Sequence, residues 1–306
     1  MGYLYLICVA LMFSFGGTCA KLIGPYFGAN YITFFRFFFG VFFLLVLKVI
    51  RRQRFRADFR QMLRECAPWL LMGAAAKALA YLTENYGLTH GVSYGNILTQ
   101  PAQTVFITCM SVFVLRERIT WKKALFLIPC VLGVLIVAWN GRSLDDFLHG
   151  NLLLTGLFIV SGVFAGAHVF AQKKVADRMD ILDSNLTMFS ISAVLSFIPT
   201  IPSTAFGALT GVRPDLACIL AMLAFGFITG IAFSLNAKAI PLVPFYMVPI
   251  IQSSMAIFAI LWGILFFHEP VSVYIVGGTL IFIAGIIGLQ LADSGKKAHP
   301  APGRAA

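Results

Sequence analysis

The sequence predicts an all-α integral membrane protein with ten transmembrane helices. Hydrophobic residues make up 59% of the 306 residues and charged residues only 11%, and the mean hydropathy is +0.89. Soluble proteins carry roughly 25% charged residues, and a soluble fold of this length could not bury so much apolar surface. The basic residues lie mainly between apolar stretches of about 20 residues, which is the length that crosses a bilayer.

The apolar stretches define ten spans, and their short connections make neighbouring helices antiparallel. The predicted spans cover residues 2–20, 31–50, 68–88, 92–115, 120–139, 151–172, 183–201, 216–236, 242–267 and 271–291. The residues from 293 to 306 are mostly polar or small and include two prolines, and this composition predicts a disordered tail.

The distribution of Lys and Arg predicts the orientation of the chain. Eighteen of these residues lie in one set of alternate loops or in the tail, and three lie in the opposite set. Because cytoplasmic loops are enriched in basic residues, this bias places both termini in the cytoplasm of a bacterial-type inner membrane. The basic residues behind the net charge of +11 thus indicate the orientation of a membrane protein and not a nucleic-acid partner.

The chain resembles itself when its first half is shifted by 152 residues. This shift aligns the pairs Lys21 and Lys173, Glu84 and Asn236, Tyr94 and Tyr246, Gln100 and Gln252, Glu117 and Glu269, and Gly133 and Gly285. The pattern predicts two five-helix repeats, over 1–141 and 142–292, with the tail at 293–306. Since five is odd, the second repeat crosses the membrane upside down, and inverted repeats of this kind are a transporter architecture.

These features resemble the EamA-type family of the drug/metabolite transporter superfamily. The likeness rests on the five-helix repeats, the Arg-Glu-Arg and His-Glu-Pro steps around Glu117 and Glu269, and a first helix that ends in Lys21. It implies a carrier with a central cavity lined by helices one to four and six to nine, and with helices five and ten at the periphery. Members move amino acids, other metabolites or toxic compounds, often outward. Short four-helix relatives use a first-helix glutamate, but residues 1–50 contain no acidic residue.

Other classes of protein lack their signatures in this sequence. The five histidines are scattered without an HExxH motif, and no GxxxxGK[ST] phosphate loop occurs. The six cysteines have no repeated spacing, so neither a metal site nor a disulfide framework is indicated. We therefore expect no enzyme activity and no cofactor. An ion channel remains an alternative, although the sequence shows no repeated filter loop or charged ring.

Three charged residues within the spans are the strongest candidates for function, because such residues are costly in a membrane. Lys77 lies near the middle of the third span, and Glu84 lies two turns further along the same helix stripe. Arg36 has the same predicted depth as Glu84. We expect Lys77 to bind the substrate and Glu84 either to hold Arg36 or to carry a proton.

Proline residues near matching positions of the two repeats predict interrupted helices, which mark transporter binding sites. Pro101 follows Gln100, and three prolines precede Gln252. Tyrosine side chains near these positions suit stacking or cation–π contact. The predicted substrate-binding residues are Lys77, Tyr81, Tyr94, Gln100, His168, Asn236, Tyr246 and Gln252.

The sequence thus predicts a secondary transporter that works by alternating access, as a monomer, in the lipid bilayer. A lysine in the site favours a small-molecule substrate with a carboxylate, and the tyrosines favour a planar portion, so an amino acid fits both. Export is the expected direction, with coupling to protons or by exchange. The alternative is an exporter of cationic drugs or amines, working as a proton antiporter, in which Glu84 attracts the substrate.

The predicted topology can be tested by labelling single introduced cysteines in intact cells. A membrane-impermeant maleimide should modify a cysteine in residues 141–150, because that loop is predicted to face outward. The parent chain with its own six cysteines is the control. Labelling of a cysteine in residues 51–64 instead would reverse the orientation.

Overall fold

The computed structural model describes residues 2–53, 59–91, 93, 95–114, 121–141, 152–176, 178–201, 213–239, 242, 251–252 and 254–294. Tyr94, Tyr246, Glu117 and the three prolines before Gln252 lie outside these ranges. Within them the regular secondary structure is entirely helical, in agreement with the predicted fold class.

The described residues of the first half form five α-helices. Their bounds are α1 Gly2–Ile23, α2 Ala29–Ile50, α3 Phe59–His90, α4 Thr99–Phe113 and α5 Trp121–Trp139. A 3₁₀ turn, Gly95–Leu98, leads directly into α4, and Pro101 lies in the first turn of α4. Span four therefore begins with a tightened turn instead of a regular helix.

The second half forms α6 Leu152–Ala176, α7 Ile181–Phe197, α9 Met255–Phe267 and α10 Val273–Ser294. Between α7 and α9, helix α8 has three consecutive segments, which are Leu216–Phe227, a π-helical turn Ile228–Ala232, and Phe233–Ala239. A π turn widens the helix locally and is often found at functional positions.

Among the described residues, six helical segments are long and apolar enough to cross a membrane: α1, α2, α3, α6, α7 with its following 3₁₀ turn, and α8. Shorter apolar stretches occur in α5, α9 and α10. The presence of apolar helices along both halves is confirmed, whereas the count of ten membrane spans remains a prediction.

Helix α3 is longer than its predicted span, because it begins at Phe59 and carries Pro68 inside it. The additional turns are amphipathic. Met62, Cys66 and Leu70 are spaced by four residues and buried, while Arg64 between them is exposed. The apolar stripe of α3 therefore continues into the segment that the sequence analysis assigned to a basic loop.

Small residues in α3 bring it close to α6 and α7 of the second half. His168 and Ser161 of α6 contact the carbonyls of Gly73 and Ala80, each at 2.9 Å. Ser192 of α7 donates to the Ala74 carbonyl at 2.9 Å. Such interhelical hydrogen bonds satisfy polar groups that would otherwise be unpaired in hydrocarbon, so α3 is held mainly by the other half of the chain.

Two GxxxG pairs in the second half of the chain are packing positions. Gly162 and Gly166 bring α6 against α4, and Gly226 and Gly230 bring α8 against α2. A Cβ atom on Gly226 would overlap the Cβ of Phe39 and lie 2.9 Å from its carbonyl carbon. Close helix approach of this kind depends on the missing side chain.

Helices α5 and α10 pack on each other through glycines on both sides. A Cβ atom on Gly133 of α5 would clash with the backbone at Phe282. Cβ atoms on Gly285 and Gly288 of α10 would clash with Cys130 and Phe126. The contacts of α5 and α10 with the other described helices are few. The pair therefore forms a two-helix unit at the edge of the described structure.

We predict that Gly226→Ala destabilises the protein, because the new methyl group would be forced into backbone atoms of α2. Overpacking of this kind costs about 1–3 kcal/mol, and the midpoint of thermal unfolding in detergent should fall. Gly156→Ala is the matched control on α6, since a Cβ there has no atom within 4 Å. An equal fall of the midpoint in both variants would contradict the packing role of Gly226.

Candidate functional site

Arg36 of α2 is a buried charge inside the helix bundle, and only 4% of its surface is exposed. Its Nε donates a hydrogen bond to Thr229 Oγ1 of α8 at 3.1 Å. Its Cζ lies 3.3 Å from the ring centroid of Tyr81 and 4.1 Å from that of Phe225. Two aromatic rings and a hydroxyl thus fix the guanidinium, and cation–π contacts offset part of its desolvation.

Glu84 of α3 faces Arg36, as the equal depth of the two residues predicted. The distance from Glu84 Oε1 to the first terminal nitrogen of Arg36, Nη1, is 3.8 Å, and both side chains are largely buried. This distance allows an ion pair but is too long for a hydrogen bond. Nη1 accordingly has no hydrogen-bond partner among the described residues.

Lys77 is also buried, with 7% of its surface exposed. Its Nζ lies 4.2 Å from the centroid of the Tyr81 ring and 5.1 Å from that of Phe233. Within the described ranges no carboxylate lies within ion-pair distance of this ammonium. Arg36 and Lys77 therefore both lie over the ring of Tyr81. Together with Glu84 they form a cluster of two positive charges and one negative charge.

His168 of α6 lies beside this cluster, fully buried. Its Nδ1 is 2.9 Å from the Gly73 carbonyl, which requires the proton on Nδ1, and its ring stacks on Phe189. Nε2 has no hydrogen-bond partner in the part of the chain that the structure describes. His168 thus joins α6 to α3 one turn before Lys77, and a direct role in binding stays a prediction.

The polar residues predicted near the interrupted helices are only partly covered by the structure. Gln252 donates from Nε2 to Asn236 Oδ1 at 2.7 Å, so these two predicted residues lie together. Gln100 is partly buried in the first turn of α4. Because Tyr94 and Tyr246 lie outside the described residues, the shared cavity predicted for the four positions stays a prediction.

Three residues of α8 that contact the charges were not found by the sequence analysis. Phe225 and Thr229 contact Arg36, and Phe233 contacts Lys77. They are spaced by four residues, with Thr229 inside the π-helical turn and the two phenylalanines on either side of it. The sequence of α8 alone cannot show that these three side chains face two cations. The neighbouring glycines Gly226 and Gly230 indicate only which face of α8 packs closely.

Glu269 lies in a hydrogen-bonded cluster at one end of the helices. Its carboxylate accepts from the Ser93 backbone N–H at 2.9 and 3.0 Å and from Ser93 Oγ at 2.8 Å. It also forms an ion pair with Lys21 of α1. Glu269 thus pairs with a basic group, whereas Glu117, which the 152-residue shift aligns with it, lies outside the described residues.

A second buried ion pair joins Lys48, in the last turn of α2, to Asp183, in the first turn of α7. Because the loop between α1 and α2 is short, this pair and the Lys21–Glu269 pair lie at opposite ends of the bundle. Each pair joins a helix of the first half to a residue of the second half. The two halves are therefore held together at both ends by charge.

Long apolar helices around a buried cluster of charged and aromatic side chains define a multi-pass membrane protein with a polar interior site. The profile of the EamA-like transporter family matches this chain twice, over residues 1–139 and 153–291. The chain therefore belongs to the EamA-like transporter family and contains two copies of its unit. It is a membrane transporter and not an enzyme.

Two relatives add to this result. An uncharacterized transporter of Bacillus subtilis (strain 168), YcxC, is 21% identical over 230 residues, which cover 73% of this chain and 72% of that protein. A crystal structure with 14% sequence identity matches with a TM-score of 0.64 and covers 95% of this chain and 98% of its own. The second likeness supports the fold alone.

We predict that Lys21→Met lowers stability by about 2 kcal/mol, because the buried Glu269 carboxylate loses its counter-charge. Adding Glu269→Gln should recover part of this loss, since the amide oxygen still accepts from the Ser93 N–H. Thermal unfolding of the single and double variants in detergent measures both effects. A double variant less stable than Lys21→Met would show that the ion pair is not the origin of the loss.

Proposed function

We propose that this transporter is a secondary carrier that exports an amino acid or a related carboxylate-bearing metabolite across the inner membrane. The observation that carries the proposal is the buried Lys77 ammonium, which faces two aromatic rings and has no carboxylate near it among the described residues. An ammonium in such a site attracts an anion strongly, because the surroundings screen charge poorly.

The charges near Tyr81 support an anionic group on the substrate over a cationic one. The carboxylate of Glu84 already faces Arg36, whereas Lys77 lies over two aromatic rings and has no carboxylate within ion-pair distance among the described residues. A cation entering this cluster would compete with Arg36 for Glu84 and be repelled by Lys77. The amine-exporter alternative requires Glu84 to leave Arg36, and an amine that binds more tightly than matched carboxylates would favour it.

Alternating access suits a cluster that is closed on all sides. Because Arg36 and Lys77 are almost fully buried, a substrate can reach them only when the helices around them separate. In the proposed mechanism the two inverted repeats, with ten spans in all, rock against each other and expose the cluster to one side at a time. A carrier of this kind shows saturation and counterflow in liposomes, and a channel does not.

Lys77→Met should weaken the binding of carboxylate-bearing compounds, because one charge-assisted hydrogen bond is lost. Such a bond contributes about 1.5–3 kcal/mol, which corresponds to roughly a 10- to 150-fold change in affinity. Isothermal titration of purified protein with matched anionic, zwitterionic and cationic compounds measures the change.

Lys174→Met is the matched control, because Lys174 also lies over two aromatic rings, Trp69 and Phe170, but at the end of α6. This variant should bind as the parent protein does. Unchanged affinity in Lys77→Met for every compound that the parent protein binds would contradict the role of Lys77.

A further inference from the structure

We propose that Arg36 and Glu84 form the part of the binding site that recognises a zwitterion: Arg36 binds the substrate carboxylate together with Lys77, and Glu84 binds the ammonium group on the neighbouring carbon. This inference rests on the proposed function and goes further, because it assigns the Arg36–Glu84 pair to recognition of the substrate and not to helix packing alone.

The first argument is that the guanidinium of Arg36 has a donor without an acceptor. Its Nε is occupied by Thr229 and its planar group is held over Tyr81 and Phe225. Nη1 is buried and, within the described residues, makes no hydrogen bond. Leaving a buried charged donor unpaired is costly, and a carboxylate is the ligand that best fits a guanidinium.

The second argument is the position of Lys77. Both cations lie over the ring of Tyr81, so Lys77 adds a second positive charge close to the guanidinium. Helix α1 also packs near this group, since a Cβ atom on Gly16 would lie 3.2 Å from the Phe225 ring and 4.0 Å from Nη2, the other terminal nitrogen of Arg36. An anion that binds at Nη1 is therefore attracted by two positive charges.

The third argument concerns Glu84. A carboxylate that binds at Nη1 comes close to Glu84, which lies 3.8 Å from that nitrogen, and two carboxylates at one guanidinium repel each other. An ammonium on the same substrate removes this repulsion by pairing with Glu84. In an α-amino acid the amino nitrogen and the carboxyl carbon are about 2.5 Å apart. One bound molecule can therefore place its carboxylate at Arg36 and its ammonium at Glu84.

The test uses three probes that share one ring and chain: L-phenylalanine, 3-phenylpropionate and 2-phenylethylamine. Dissociation constants are measured for the purified full chain and for Arg36→Gln, Glu84→Gln and the double variant. The parent protein should bind L-phenylalanine about tenfold more tightly than 3-phenylpropionate, and 2-phenylethylamine most weakly.

Each variant has its own expected result. Glu84→Gln should remove the preference for L-phenylalanine over 3-phenylpropionate, because only the zwitterion uses that carboxylate. Arg36→Gln should weaken both carboxylate probes by at least about tenfold. The double variant loses both buried charges, so its thermal stability should exceed that of Arg36→Gln while its binding of carboxylates stays weak.

Two results would overturn the inference and leave the proposed function intact. One is equal binding of L-phenylalanine and 3-phenylpropionate by the parent protein, with both weakened in Lys77→Met. The other is a double variant that regains carboxylate binding together with stability, which would make the pair purely structural. If the parent protein binds the amine most tightly, the proposed function fails and the inference fails with it.

Discussion

A charged side chain inside a membrane must be compensated by other groups of the protein, because lipid offers neither water nor counter-ions. The packing around Arg36 follows from this requirement. Gly226 and Gly230 let α8 approach α2 closely, and this approach brings Phe225 and Thr229 within reach of the guanidinium. The glycines of α8 therefore allow both the close contact between the two helices and the stabilisation of the Arg36 charge.

The same arrangement crosses the boundary between the two repeats. The charges belong to α2 and α3, whereas the aromatic and hydroxyl groups on α8 that surround them come from the second half. The ion pairs Lys21–Glu269 and Lys48–Asp183 also connect the halves. A relative movement of the repeats must therefore change the surroundings of the charged cluster, which is what a carrier of the proposed type requires.

The sequence was sufficient to find the helices, the duplication and the charged residues within the apolar spans, because these depend on composition and spacing within one segment. Arg36 and Glu84 could be paired from their equal depth. Phe225 and Thr229 could not be found in this way, since their role depends on which helices pack together and on the π turn in α8. The early start of α3 was missed because Pro68 and the flanking basic residues resemble a helix boundary.

The division of the cluster between the halves also has a consequence for biosynthesis. Arg36 and Lys77 enter the membrane while the ribosome has not yet made α8, which carries Phe225, Thr229 and Phe233. Until α8 is inserted, these two charges lack part of the surroundings that stabilise them in the finished protein. An incomplete chain that ends before α8 therefore carries only partly compensated charge in its membrane helices, and insertion of α8 completes the surroundings of both cations.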